Sequence, residues 1–318
     1  MSEGTDRWGV VTTIKAPAQD ILNFAAYHIE LGAKIVYIHL DEPCPEVMDL
    51  LRAHPNIRVT VCTENYWRKR IGKSKRPATH QFRQSLNATR VYGTPPLVDW
   101  LAHIDVDEFL WPDAPLGSIL GALPRSVMGA LVRPNELIDG DGTLFKSYIP
   151  SGPERGPLVH RLYPEFGTFL KGGFLSHVVG KVFVRTGFSN VRIGLHSYVL
   201  GENRNPYMVE LENVVLCHRH ATGWEDWLAQ YRYRLEKGSY REEMSPARPR
   251  EKGGATIHEL LSALEQEEGE AGLRRFYDEI CGDTDRLREA LAAEGLLRHR
   301  DLGLDWKRRK HFPEFLPN

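Results

Sequence analysis

Three carboxylates crowd into the stretch WLAHIDVDEFLWP, residues 100–112: Asp105, Asp107 and Glu108. Apolar residues flank them on both sides, so the acids stand where a buried strand would run out. Charge brought that close to a core is costly unless something neutralises it. Asp105 and Asp107 are two apart and, on a continuing strand, would face the same side. Carboxylates converging in one site raise each other's pKa unless a cation lies between them. A divalent metal is one such cation, and oxygen ligands suit Mg²⁺ or Mn²⁺. An isolated Asp-x-Asp is also common as a solvated strand cap, so the argument depends on the elements around it.

Those elements alternate. WGVVTTI (8–14) reads as a buried strand, and Asp20 as the N-cap of a helix carrying Ile21, Leu22, Ala25 and Ile29 at helical spacing. KIVYIHL (34–40) is a second strand, PEVMDLLRAH a short helix and IRVTVC (57–62) a third strand. This β-α-β-α-β order predicts a parallel sheet with helices on its faces. THQFRQSLNATRVYG (79–93) then predicts a helix, and DWLAHIDV (99–106) the strand that delivers the acids. GALVRP (129–134), KVFVRT (181–186) and NVVLCHRH (213–220) have strand character, residues 135–180 read as loop-rich, and the chain beyond Trp224 reads as helical and highly charged. The expected partition is an α/β domain over 1–222 and a helical C-terminal region over 223–318.

Composition narrows the function classes. Lys plus Arg (41) nearly balances Asp plus Glu (42), for a net charge of −1, without the basic excess usual in a nucleic-acid binder. The four cysteines form no CxxC pair, which argues against a zinc or disulfide scaffold and fits a reducing compartment. The opening residues lack a signal-peptide pattern and no apolar run is long enough to span a bilayer, so a cytoplasmic protein is expected. Six cations between residues 68 and 76, in YWRKRIGKSKR, would suit a diphosphate, an anionic acceptor or the inner face of a membrane, or form a solvated loop. The tail WKRRKHF would touch acidic lipid or cap the last helix. Trp224, Trp227, Leu228, Tyr231 and Leu235 recur at helical spacing and read as core, with an acceptor platform as the other reading.

The segments TTIKAPAQDILNFAAYHIELGAKIVYIHLDEP, HQFRQSLNATRVYG, WLAHIDVDEFLWP, GKVFVRTGFSNVRIGLHSY and LCHRHATGWEDWLAQYRYRLEKGSYR, in that order over residues 8–241, resemble glycosyltransferases of the GT-A fold. The resemblance is to the bacterial family-2-like group related to family 92. It implies a Rossmann-like, mixed and mostly parallel sheet flanked by helices, and a nucleotide-sugar donor, a UDP-sugar foremost, held with Mn²⁺ or Mg²⁺. It implies that Thr12, Thr13 and Lys15 line the donor pocket. Asp41 would touch base or ribose, although a turn-forming Asp before Glu-Pro explains it equally. Arg83, Gln84 and Asn87 would face donor phosphate or sugar from a helix, although a solvated helix face explains the same residues. Asp105 becomes the ribose or metal-shell acid, Asp107 the direct metal ligand, and Glu108 a buttress of the loop. A later histidine, His196 or His218 (with His220 close behind), would complete the metal shell. Lys181 and Arg185, four apart on a strand, would neutralise the leaving diphosphate or be ordinary surface cations. Should the anomeric centre invert, Glu136, Asp139 or Asp141 would be the base, although DGDG also spells an ordinary tight turn.

The expected activity is metal-dependent transfer of a sugar from a nucleotide-sugar to a saccharide or glycolipid acceptor. Two other readings stay open. Relatives often carry Asn-Glu after the first-loop lysine where this chain has Ala16-Pro17, which would suit a non-catalytic sugar- or partner-binding protein. A metal-dependent nucleotidyltransferase would place acids in the same way.

Overall fold

The structure, a computed structural model, describes residues 5–73, 75–238, 240, 242 and 245–315. In chain order its principal elements begin β1 (Trp8–Ile14), α1 (Ala18–Glu30), β2 (Ile35–Leu40), α2 (Pro45–Ala53) and β3 (Ile57–Val61). A three-residue turn of helix, α3 (Glu64–Tyr66), and a π-type turn at Trp67–Ile71 lead to α4 (His80–Tyr92), β4 (Trp100–His103), β5 (Glu108–Pro112) and α5 (Leu116–Gly121). There follow β6 (Gly129–Leu137), β7 (Leu144–Ser147), α6 (Arg155–Leu162), β8 (Lys181–Arg185), β9 (Val191–Ile193), β10 (Tyr198–Leu200), β11 (Asn203–Arg204) and β12 (Met208–His218). The chain closes with α7 (Trp224–Glu236), α8 (Ile257–Glu268), α9 (Glu270–Ile280), α10 (Asp285–Ala293), β13 (Leu297–His299) and α11 (Leu304–His311). No described helix is long and apolar enough to cross a membrane.

The contacts divide the chain into two units, and not at residue 222 as the change in composition suggested. The first comprises residues 1–133, 179–216 and 302–318, and the second 134–178 and 217–301. The chain leaves the first unit partway along β6 and returns just before β8. It leaves again near the end of β12, and α11 comes back to the first unit. A boundary drawn at one sequence position cannot capture so interleaved a path.

The first unit is α/β. Its strands run in the order β6-β8-β4-β1-β2-β3, with β4, β1, β2 and β3 parallel and β8 antiparallel to both β4 and β6. The sheet is buried on both faces, as a parallel sheet covered by crossover helices should be. On one face Val10, Ile14, Val36 and Ile38 pack with Ile21, Leu22, Phe24 and Ala25 of α1. On the other, Val11, Ile35 and Leu101 pack with Ala88, Val91 and Tyr92 of α4. α11 also serves this unit: buried Arg308 donates to Asn23 Oδ1 (2.8 Å), while Lys310 and His311 reach Glu30 (2.8 and 2.9 Å). Arg308, Lys310 and His311 of WKRRKHF are thus engaged by α1, while Arg309 pairs with Asp305 (2.7 Å) and stays exposed.

The second unit is mainly helical, with antiparallel strands β13 and β7 that continue the same sheet from the end of β6. Its core gathers Trp227, Tyr231, Leu261, Phe276, Tyr277 and Ile280, and Trp224 stacks on Trp227 with centroids 5.5 Å apart. The aromatic stripe of α7 is therefore core, and the platform reading falls away. Residues 135–180, read as loop, contain the end of β6 together with β7 and α6. Polar and charged residues between short apolar runs hid their periodicity.

Candidate active site

Because β1, β2 and β4 are parallel, their carboxyl ends share one edge of the sheet, where open α/β folds place their ligands. Thr12 and Thr13 end β1, Asp41 follows β2 and Asp105 follows β4. All four come from the first unit.

Asp41 is buried and gripped from three directions. Arg83 offers Nε (2.9 Å to Oδ1) and Nη2 (2.6 Å to Oδ2), Arg76 Nη2 lies 2.9 Å from Oδ2, and His80 Nδ1 lies 3.3 Å away. Burial alone would raise its pKa, but His80, Arg83 and Arg76 more than offset that and hold the carboxyl well below its usual range. The acid read as a base- or ribose-binding group is thus a clamp tying the start of α4 and the end of the basic loop to β2. Arg83 also donates to the carbonyls of Pro77 and Ala78 (2.8 Å each), so it is spent on structure and is not turned to a phosphate. Asn87 is likewise buried, accepting from Tyr66 Oη (2.7 Å) and donating to Thr13 Oγ1 (2.9 Å). The helix face that was to meet the donor is turned inward. Thr12 and Thr13 are buried, while Lys15 is exposed and paired with Glu42 at 2.8 Å.

The second cluster answers the question raised by the acids. β4 stops at His103, and Val106–Asp107 form a turn into β5. Strand alternation therefore does not decide which way Asp105 and Asp107 point, and that expectation is withdrawn. Asp105 Oδ2 accepts from Lys181 Nζ (2.6 Å), and Oδ1 accepts from Gln84. Glu108, fully buried, accepts the Asp105 backbone N–H (2.8 Å) and lies 3.3 Å from the same ammonium. Burial would raise the Asp105 pKa, but Lys181 brings it down to about 2. Burial would lower the Lys181 pKa, but Asp105 and Glu108 raise it instead. The cation required between these carboxylates is thus an ammonium delivered by β8, and Glu108 is the buttress expected of it. Gly180, at φ 87°, allows this delivery because a Cβ there would run into the Val132 carbonyl. Arg185, on the same strand as Lys181, lies over the Trp100 ring (4.2 Å) and donates to the Val127 carbonyl (2.9 Å), a packing role and not a diphosphate contact.

The remaining candidates separate. His196 Nδ1 lies 2.8 Å from the Gly180 carbonyl. Among the described residues, His196 joins no close group of three potential metal ligands. In the second unit His218 lies against His177 (centroids 5.1 Å) and His220 (5.3 Å), three imidazoles ring to ring. Reasoning from sequence missed His177 because nothing in LSHVVG marks it. Glu136, proposed as a base, is buried 3.0 Å from Lys146 Nζ and accepts the Leu175 and Ser176 N–H groups (3.0 and 2.6 Å). Burial opposes its ionisation, yet Lys146 and these donors hold its pKa down. Held charged by these partners, Glu136 is a weaker base than a free carboxylate. Asp139 accepts from its neighbour Gly140 N and from Tyr277 Oη (3.1 Å). Exposed Asp141 accepts from Thr143 N and Oγ1 (2.9 and 2.7 Å), the tight turn that its DGDG setting suggested.

Of the basic loop, Tyr66 and Trp67 are buried, while Arg68, Lys69, Arg70, Lys73 and Lys75 are exposed. All four cysteines are free thiols. Three buried histidines of the first unit stay neutral. Burial, foremost, pushes His28 and His103 down to about 4 and His39 to about 3. A histidine depressed in the folded state binds its proton preferentially when unfolded, so stability is complete above pH 6.5 and is lost as pH falls toward 4. Urea midpoints measured from pH 8 to pH 4.5 should hold steady at first and then decline below about pH 6.5. A flat profile would contradict the neutral assignment.

No known family profile matches the chain, and no curated protein does. Among solved structures, a mycobacterial protein is similar over 57% of this chain and 53% of its own length, at 13% identity and a TM-score of 0.30. The chain thus spans about half of that protein. HddC from Yersinia pseudotuberculosis is similar over 56% of this chain and 74% of its own, at 10% identity and a TM-score of 0.27.

Proposed function

We propose that this chain is a metal-dependent glycosyltransferase that moves a sugar from a nucleotide-sugar, foremost a UDP-sugar, to a saccharide or glycolipid acceptor. The supporting observation is the convergence of Asp41 and Asp105, each compensated by cations, on the carboxyl edge of parallel β1, β2 and β4. That edge is preorganised without needing a ligand to neutralise it, and Asp107 stands in the turn just beyond. In this reading the donor lies over the β1 and β2 ends near Lys15. Asp107 is the acid that would hold Mn²⁺ or Mg²⁺, and a bound ion would act as Lewis acid toward the departing diphosphate. Asp105, Glu108 and Lys181 keep the turn carrying Asp107 in place. In this reading Glu136 is a structural acid and not the base.

The test is calorimetric titration of UDP, GDP, CDP and their sugar conjugates, with and without Mn²⁺, into wild type and Asp107→Ala. Metal-dependent binding of one nucleotide is expected, with affinity reduced at least tenfold in the variant at unchanged thermal stability. No binding to a folded sample would favour a non-catalytic protein, and release of pyrophosphate from a nucleoside triphosphate would point to nucleotidyl transfer.

A further inference from the structure

The basic loop between β3 and α4, within the first unit, holds five cations that take no part in the Asp41 or Asp105 clusters: Arg68, Lys69, Arg70, Lys73 and Lys75. The loop is pinned at both ends. Trp67 is fully buried and packs with Cys62 and Tyr66, and Ile71 and Leu86 close on the same cluster. At the far end Arg76 donates to the Asp41 carbonyl (3.1 Å) and pairs with the Asp41 carboxylate (2.9 Å). Trp67 and Ile71 lie one turn apart on the π-type turn and both pack inward, so Arg68, Lys69 and Arg70 between them sweep its outer arc. Gly72, at φ 71°, ends that turn, and Lys73 and Lys75 follow it into solvent.

None of these five cations pairs with a described carboxylate, and Arg68 reaches the neutral Asn65 side chain (3.3 Å). Exposed Arg7, Lys15, Arg161 and Arg274, by contrast, each stand against an acid. Phe82, in the first turn of α4, is half-exposed, and Lys73 Nζ lies 5.6 Å from its ring centre. An apolar ring therefore lies beside the unpaired charge. A nucleic acid would need aromatic faces on which bases stack, but Tyr66 and Trp67 are buried, and a net charge of −1 supplies no wider basic field. A single diphosphate would need donors that converge, whereas Arg68, Lys69 and Arg70 spread from the outside of a turn. Arg76 and Arg83, the arginines that do converge, are held by Asp41. Spreading cations suit an extended anionic surface, and one that also admits an aromatic ring is a phospholipid bilayer.

We infer that this loop docks the chain on a bilayer containing anionic phospholipid, with the five cations at the headgroups and Phe82 entering the interface. The inference is independent of the glycosyl-transfer reading, since docking needs neither donor nor metal. The full chain would be sedimented with vesicles of phosphatidylcholine alone and of phosphatidylcholine and phosphatidylglycerol in equal parts. One variant combines Arg68→Gln, Lys69→Gln and Arg70→Gln, and a second carries Phe82→Ser. A control removes the same charge from exposed residues elsewhere in the first unit, combining Arg125→Gln, Arg192→Gln and Arg204→Gln. Melting temperatures would be recorded for each, and a single-stranded oligonucleotide of mixed sequence titrated in parallel.

Wild type should bind the anionic vesicles far more tightly than the neutral ones. Each cation near such a surface strengthens binding about fivefold, so the loop variant should lose on the order of a hundredfold at an unchanged melting temperature. The control variant should lose much less, and Phe82→Ser should weaken binding severalfold. Failure of folded wild type to bind anionic vesicles, equal binding to both vesicle types, or equal losses in the loop and control variants would overturn the inference. Tighter binding of the oligonucleotide than of anionic vesicles would overturn it in favour of a nucleic acid. Unchanged binding by Phe82→Ser would overturn the entry of the ring into the interface.

Discussion

Lys181→Met is expected to destabilise the protein by about 3–5 kcal/mol, the range for removing one partner of a buried ion pair. The ammonium is buried and lies 2.6 Å from Asp105 and 3.3 Å from Glu108, so its loss leaves two carboxylates facing each other without a cation. One of them must then take up a proton or draw in water. Urea denaturation at pH 7 measures the loss. Glu108→Gln combined with Lys181→Met should recover part of it, because a single charge remains and Asp105 can still turn toward Gln84. A loss below about 1 kcal/mol would mean that the triad is not what neutralises the acids. The pH dependence supplies a second check. The Asp105 carboxyl is depressed from 3.8 to about 2, so its contribution is complete above its unfolded value and disappears as pH falls toward 2. Lys181→Met should remove that part of the acid sensitivity.

Lys146→Met should cost a similar amount, about 3–5 kcal/mol, for the same reason in the second unit. Lys146 and Glu136 face each other across the β6–β7 ladder and are both buried. Lys146 also donates to the carbonyls of Gly173 and Ile280 (3.1 and 2.7 Å), while Glu136 collects two backbone N–H groups from residues 175 and 176. The pair therefore fastens the 173–176 segment and the end of α9 to β6 and β7. Removing the lysine alone strands a buried charge, whereas Glu136→Gln with Lys146→Met leaves neutral groups and should fall much closer to wild type. Hydrogen exchange should show protection lost first in residues 173–176. Under the proposed sugar transfer, equal turnover per folded molecule by the double variant and wild type would make Glu136 a structural acid. If it folds but transfers none, the catalytic reading of Glu136 returns.

What the sequence determined by itself was the layout of the sheet edge. Strong apolar runs set β1 over Trp8–Ile14 and β2 to within a residue, and the 3.6-residue pattern set α4 to within a residue at each end. Alternation of these elements was enough to predict parallel strands and hence to bring Asp41 and Asp105 to one edge. These features rest on short-range periodicity, which a single chain displays openly.

The tertiary structure decided which charges were already spoken for. The cation for Asp105 lies 76 residues further on, and Arg83 reaches Asp41 from 42 residues away. Nothing local in DVDEF or IHLDEP distinguishes an acid awaiting a metal from one already paired. The same holds for Arg83 and Asn87, whose helical spacing was read correctly while the direction of their face was not. Whether a helix face looks toward ligand or core depends on what packs above it. The division into two units, too, depended on where β6 and β12 carried the chain, and such long-range returns leave no mark on composition. The basic loop belongs to the same class, because nothing in WRKRIGKSKR separates Arg76, which a distant acid holds, from the cations left exposed until that acid has been placed.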